Sequence, residues 1–82
     1  MIEVRIFGLF RARTEKRELE LEPVATLREL LPIVAGQTGI PVEEWRQASI
    51  FVNGEPMHRL RMLSTRLKDG DKIALLSPAS GG

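Results

Sequence analysis

Two alternating apolar patterns at the start of the chain constrain its fold more than any other feature. Every second residue of Ile2–Ile6 is apolar, which predicts a strand with one buried face that continues to about Phe10. Leucine alternates with glutamate over residues 18–22, which predicts a second strand that stops at Pro23. Since only a short polar stretch, 11–16, separates the two strands, we expect an antiparallel hairpin.

A single main helix is predicted after the hairpin. Thr26 and Glu29 have the spacing of a capping box, in which each side chain accepts from the other residue's backbone amide. The following apolar residues repeat at helical spacing: Leu27, Leu30, Leu31 and Val34. Pro32 costs about 3 kcal/mol inside a helix, so we expect a kink or an irregular first turn. Gly36 or Gly39 should end the helix.

Short elements are predicted for the next part of the chain. Residues Pro41–Trp45 read as a short helical turn with proline at its tolerated first position. A third strand is expected around residues 50–52, followed by a tight turn at Asn53-Gly54. A short fourth strand would then hold Met57.

The last strand completes the predicted fold class. Lys72–Leu76 follows a turn at Asp69-Gly70 and is apolar at consecutive positions, which favours a central strand covered on both faces. Two strands, a helix and further short strands indicate an α+β domain, with one main helix packed across a mixed four- to five-stranded sheet. We assign residues 1–76 to this domain and 77–82 to a flexible C-terminal tail.

Composition excludes several classes of function. The 82 residues include twelve basic and eleven acidic side chains, and a net charge of +1 argues against nucleic acid as the main partner. With no cysteine and one histidine, we expect no disulfide, no thiol catalysis and no metal site. No apolar segment is long enough to span a membrane, and the N-terminus lacks the layout of a signal peptide. These features predict a cytoplasmic protein without a membrane partner.

The C-terminal tail offers the clearest chemistry. A carboxylate on Gly81-Gly82 is the least hindered acyl group that a chain can present, because neither residue has a Cβ atom. A carboxylate must be activated before it reacts, most simply as an acyl-adenylate. The chain lacks a Gly-rich loop followed by Lys and Ser/Thr, so a separate enzyme would use the ATP. The chain itself would then be a carrier and not an enzyme, and it would bind no cofactor.

Several motifs together resemble the small subunit of molybdopterin synthase. These are Ser49–Gly54, Leu67–Asp71, an apolar strand, a proline and the terminal Gly-Gly, and Val4–Gly8 and the capped helix also match. This family of ubiquitin-like β-grasp proteins includes the thiamine-pathway sulfur carrier and the archaeal and eukaryotic modifiers. The resemblance covers the whole chain and implies that the first and last strands lie side by side and parallel at the sheet centre. The sequence departs from the family at Ser77-Pro78, where two prolines are common, and at Pro32.

The resemblance also implies a mechanism. An E1-like adenylyltransferase would adenylate Gly82, and a sulfur donor enzyme would convert it to a thiocarboxylate. The tail, with Pro78, Ala79, Ser80 and Gly81, would thread into the active site of the large subunit of molybdopterin synthase. Sulfur would pass there to the pterin precursor of the molybdenum or tungsten cofactor, in a complex expected to be a heterotetramer.

Three residues outside the tail are candidates for partner docking. Phe7 lies on the strand face opposite the core, where either docking or cover by a loop is consistent with the sequence, and the resemblance favours docking. Leu76 corresponds to another apolar contact position, with core packing as the alternative. Arg11 belongs to a basic loop. Such loops are usually solvated surface, and the alternative is that the loop steers an acidic partner. We expect Trp45 to be a core anchor and His58 to lie on the surface.

Three other functions remain open from the sequence. A ubiquitin-like modifier joined through Gly82 to target lysines needs the same tail. A sulfur carrier for thiamine, cysteine or another thio-metabolite also needs this tail. A plain interaction module with an incidental Gly-Gly would retain its activity after deletion of Gly82.

Overall fold

The computed structural model describes residues 1–77. Within them the strands are β1 (Ile2–Ile6), β2 (Glu18–Leu21), β3 (Ser49–Val52), β4 (Glu55–Pro56) and β5 (Lys72–Leu76). The α-helices are α1 (Leu27–Thr38) and α2 (Val42–Arg46), and short 3-10 helices cover Gly8–Ala12, Met57–Arg59 and Met62–Ser64.

The strands form one mixed sheet with the order β2-β1-β5-β3-β4. Strand β1 pairs antiparallel with β2 and parallel with β5, with Val4 opposite Ile73. Strand β5 also pairs antiparallel with β3, and β3 pairs antiparallel with β4. The predicted α+β class, the hairpin and the parallel central pair of first and last strands are confirmed.

The hydrophobic core lies between α1 and one face of the sheet. The predicted helical stripe is buried, as are the alternate residues of the strands beneath it: Ile2, Val4, Ile6, Leu19, Leu21, Ile50, Val52, Ile73 and Leu75. Trp45 of α2 is fully buried, and its ring packs on that of Phe10 with centroids 4.3 Å apart. The prediction of Trp45 as a core anchor is confirmed. Burial of these side chains provides most of the free energy that favours folding.

The ends of α1 follow from its sequence. The Thr26 hydroxyl accepts a hydrogen bond from the Glu29 amide at 3.3 Å, which is one of the two bonds of the predicted capping box; the reciprocal bond from the Thr26 amide to Glu29 does not form among residues 1–77. The helix continues through Pro32, which has no amide to donate and lies on the exposed side of α1. It passes Gly36 and ends at Gly39, whose φ of +78° is left-handed.

Three predictions about the strands are wrong. Strand β1 ends at Ile6 instead of Phe10, because Gly8 has a φ of +73° and begins a 3-10 helix. The fourth strand does not hold Met57, which begins another 3-10 helix immediately after Pro56. Strand β5 is central but is covered on one face only, since Lys72 is exposed and Ala74 is half-buried.

The turns match their sequence signals. Asn53 and Gly54 both have positive φ, which is the tight hairpin turn expected of this dipeptide. Asp71 is buried and accepts hydrogen bonds from the Lys68 amide at 2.9 Å and the Asn53 amide group at 3.0 Å. This carboxylate therefore fixes the turn at Asp69-Gly70 against the β3–β4 hairpin.

Candidate functional site

The uncovered side of the sheet is the first part of the candidate site. We call it the open face, and it is formed by side chains that alternate with the core residues: Glu3, Arg5, Phe7, Phe51, Lys72, Ala74 and Leu76. All of these except Leu76 line a groove of about 320 Å³. Arg5 Nε lies 2.8 Å from a Glu3 carboxylate oxygen, so the charges at one end of the groove are paired. The remaining lining is largely apolar, which suits contact with another protein.

Phe7 lies where β1 leaves the sheet. Its backbone is extended, with φ of −129°, and its amide donates to the Leu75 carbonyl at 2.8 Å. Its side chain is 36% exposed, so no described segment covers it fully. Docking through Phe7 stays a prediction, and its position on the open face is the one that the prediction needs.

Leu76 and Arg11 lie on either side of Phe7. Since Ile6 pairs with Leu75, the next residues of the two parallel strands, Phe7 and Leu76, occupy neighbouring positions on the open face. Leu76 is half-buried, so this position does not decide between partner docking and core packing, the two alternatives that the sequence offered. Arg11 is exposed on the first 3-10 helix and borders a small depression that Phe7 also lines. The structure thus brings the three predicted docking residues to one corner of the sheet.

The start of the tail adds residues that the sequence reasoning missed. The Leu9 amide donates to the Ser77 hydroxyl at 3.0 Å. A Cβ atom on Gly8 would lie 3.1 Å from the Ser77 backbone nitrogen and even closer to its hydroxyl. Leu9 is 68% exposed beside this contact and extends the apolar corner. The sequence signal that could have identified Leu9 is its apolar side chain two positions after Phe7.

The predicted chemical residues lie beyond the described part of the chain. Gly82, which would carry the sulfur, and the threading residues Pro78, Ala79, Ser80 and Gly81 are outside residues 1–77. The structure instead fixes where this segment begins. Strand β5 ends at Leu76 in the middle of the sheet, and Ser77 follows at the corner that holds Phe7.

Two ion pairs tie distant parts of the chain together. The Arg13 guanidinium binds the Glu44 carboxylate through two hydrogen bonds, one of them 2.9 Å long, and lowers the pKa of Glu44. The N-terminal ammonium of Met1 binds Asp69, which lowers the pKa of Asp69 and raises that of the ammonium. All four groups are exposed, so these pairs contribute little to stability.

The other charged positions are consistent with ordinary surface. His58 is exposed, as predicted, and so are the four basic side chains that follow it, Arg59, Arg61, Arg66 and Lys68. In residues 1–77 no group of three or more histidines, aspartates or glutamates is arranged to hold a metal ion. Over the same residues, no helix has the length and apolarity needed to cross a bilayer.

Comparison with known proteins places the whole chain in one family. The model of the ThiS family matches residues 4–82. A search of curated proteins found no match. The chain is similar to one in the complex of subunits 1 and 2 of molybdopterin-converting factor from Helicobacter pylori, with 32% identity, a TM-score of 0.69, and coverage of 99% of this chain and 97% of that one.

Two further solved structures share the fold. Small archaeal modifier protein 1 from Methanosarcina acetivorans is 25% identical, with a TM-score of 0.78 over 99% of this chain and 95% of that one. A chain of the BexX/CysO complex from Amycolatopsis orientalis is 24% identical, with a TM-score of 0.77 and full coverage of both chains. These similarities confirm the expected β-grasp, ubiquitin-like fold.

Proposed function

This chain belongs to the ThiS family of ubiquitin-like sulfur carriers, and on that premise we propose that its terminal glycine, Gly82, supplies sulfur for the molybdenum or tungsten cofactor. In this proposal it is the small, non-catalytic subunit of a molybdopterin synthase in the cytoplasm. The observation that carries the proposal is the 32% identity to a chain of the molybdopterin-converting factor complex from H. pylori, along nearly the full length of both chains.

Activation of the tail requires a separate enzyme. An E1-like adenylyltransferase would join the Gly82 carboxylate to the α-phosphate of ATP and release pyrophosphate. A sulfur donor enzyme would then provide the sulfur nucleophile that displaces AMP and leaves a thiocarboxylate. The absence of cysteine supports this chemistry, because the transferable sulfur would reside only at the terminus.

The geometry of the described residues supports delivery into a partner. The open face carries a groove bordered by Phe7, and strand β5 ends at Leu76 on the same corner. A partner that binds this corner would therefore also receive the chain segment that follows Ser77. Residues 77–82 span at most roughly 20 Å when fully extended, so the partner's active site would lie within that distance of the docking surface. We assign this role to the large synthase subunit, in a heterotetramer.

Protein modification is the second candidate function. It is favoured by the similarity to small archaeal modifier protein 1 from M. acetivorans, which extends over 99% of this chain. The same adenylated Gly82 would then be attacked by a lysine amine of a target protein. Sulfur delivery to thiamine, cysteine or another thio-metabolite would share the activation step and differ only in the acceptor.

A transfer experiment separates these acceptors. The chain would be prepared with a Gly82 thiocarboxylate and incubated with the large synthase subunit and the pterin precursor, with the Gly82 carboxylate form as control. We expect the thiocarboxylate to return to carboxylate while sulfur appears in the pterin product. Retention of the sulfur, together with lysine-linked conjugates bearing a Gly-Gly remnant in cells, would contradict the proposal and favour the modifier.

A further inference from the structure

The first residue after the sheet is held by a contact that joins the two ends of the chain. Leu9 is the second residue of the 3-10 helix Gly8–Ala12, and its amide donates to the Ser77 hydroxyl at 3.0 Å. Amides at the start of a helix lack partners within that helix. Phe7, the residue that precedes the helix, supplies no side-chain cap. Ser77 therefore acts as the cap from 68 positions away.

Gly8 provides the space for this contact. Its φ of +73° turns the chain away from β1, and the position where its Cβ would stand is occupied by Ser77. Both properties make glycine the residue that fits here, since a side chain would be strained and would also collide with Ser77. We call the Leu9–Ser77 hydrogen bond, with the gap at Gly8, the tail latch.

The latch lies where backbone pairing between β1 and β5 stops. The Phe7 amide donates to the Leu75 carbonyl at 2.8 Å, and beyond Phe7 the first 3-10 helix leaves the sheet. The Leu9 amide then donates to the Ser77 hydroxyl and not to a backbone carbonyl at the end of β5. A proline at position 77 could not form this contact, because it has no hydroxyl group.

We propose that Ser77 is a positioning residue, which fixes the direction in which the tail leaves the sheet before the activating enzyme binds. This inference rests on the proposed function, since it assigns Ser77 a part in presenting Gly82. Because Ser77 is already fixed in the free protein, less conformational entropy is lost when the tail enters an active site. The latch should therefore lower the KM for the carrier and leave kcat unchanged.

The test compares three variants in the full-length chain. Ser77→Ala removes the acceptor, and Ser77→Thr retains it. Ser64→Ala is the matched control, because it removes another serine hydroxyl that accepts one hydrogen bond, from Arg28 at 3.3 Å. The readouts are hydrogen exchange of the Leu9 amide, ¹⁵N relaxation of residue 77, and ATP–pyrophosphate exchange with the E1-like enzyme of the same organism.

We expect Ser77→Ala to lose protection of the Leu9 amide, to gain fast motion at residue 77, and to raise KM about fivefold, the change expected for one hydrogen bond. Ser77→Thr and Ser64→Ala should resemble the wild type. A purely structural role would lower the unfolding midpoint without changing KM at a temperature far below unfolding. The KM comparison therefore distinguishes positioning from stability.

Two results would overturn the inference. One is equal protection of Leu9 in the wild type and in Ser77→Ala, which would mean that the latch does not form in solution. The other is loss of that protection with an unchanged KM, which would mean that the latch does not position the tail. Failure of the wild type itself to support exchange would contradict the proposed function, while the Leu9 and residue 77 measurements would still decide whether the latch exists.

Discussion

Replacement of Gly8 by alanine is predicted to destabilise the protein, because two separate costs meet at this position. The φ of +73° lies in the left-handed region, which costs an L-residue about 1–2 kcal/mol. The added Cβ would also lie 3.1 Å from the Ser77 backbone nitrogen and closer to the hydroxyl, and forced overpacking costs about 1–3 kcal/mol. The free energy of unfolding should fall by about 2–5 kcal/mol, the sum of these terms.

Two other glycines separate these costs. Gly39 has a similar φ of +78°, but no atom lies within 4 Å of its added Cβ, so Gly39→Ala should lose only about 1–2 kcal/mol. Gly36 lies inside α1 with helical geometry and open space around it. Gly36→Ala should therefore stabilise the protein by about 1 kcal/mol through helix propensity.

Urea unfolding provides the assay. The fluorescence of Trp45 reports on the core, since it is the only tryptophan and is fully buried. The midpoints should fall in the order Gly36→Ala, wild type, Gly39→Ala, Gly8→Ala, with similar slopes. Equal midpoints for Gly8→Ala and Gly39→Ala would refute the crowding at Ser77, and a wild-type midpoint for Gly8→Ala would refute the strain as well.

Three further predictions concern the core, the ion pair of the N-terminus with Asp69, and the open face. Trp45→Ala should lower the free energy of unfolding by about 3–5 kcal/mol in urea titrations followed by circular dichroism, and a loss below 1 kcal/mol would contradict its role as a core anchor. The N-terminal ammonium lowers the pKa of Asp69, so this pair stabilises the fold above about pH 4, the ordinary carboxyl range, and the effect is lost as the pH falls through the lowered pKa. Because the pair is exposed and its effect on stability is small, an NMR titration is the measurement: the Asp69 carboxyl should titrate below its ordinary range, and titration within that range would refute the pairing. Phe7→Ser should weaken binding to the large synthase subunit at least tenfold in calorimetry, whereas Ile33→Ala, at a similarly exposed apolar site on α1, should not; equal losses would contradict docking at the open face.

The parts of the fold that follow a regular period were predictable from the sequence. The alternation in β1 and the helical stripe of α1 each identify a buried face, and the structure buries those faces. The cap at Thr26 and the turn at Asn53-Gly54 depend on neighbouring residues only, so they were predictable too.

The errors occur where the chain departs from a regular period. Gly8 ends β1 because its positive φ turns the chain out of the sheet. Its lack of a side chain leaves room for Ser77, which lies near the other end of the sequence. The apolar run of β5 indicated a strand covered on both faces, because Ala74 and Leu76 on the open face are apolar like core residues although they are only half-buried. Pairing between β1 and β5 brings Phe7 beside Leu76, and only the resemblance to known carriers indicated it in advance.

Intact mass measurement of the activated chain decides whether Gly82 accepts sulfur. The full-length protein would be incubated with the E1-like enzyme of the same organism, ATP and a sulfide donor, beside a variant that lacks Gly82. We expect a mass gain equal to one exchange of oxygen for sulfur in the wild type and none in the variant. An unchanged wild-type mass, with an enzyme shown to activate another carrier, would contradict sulfur carriage by this chain.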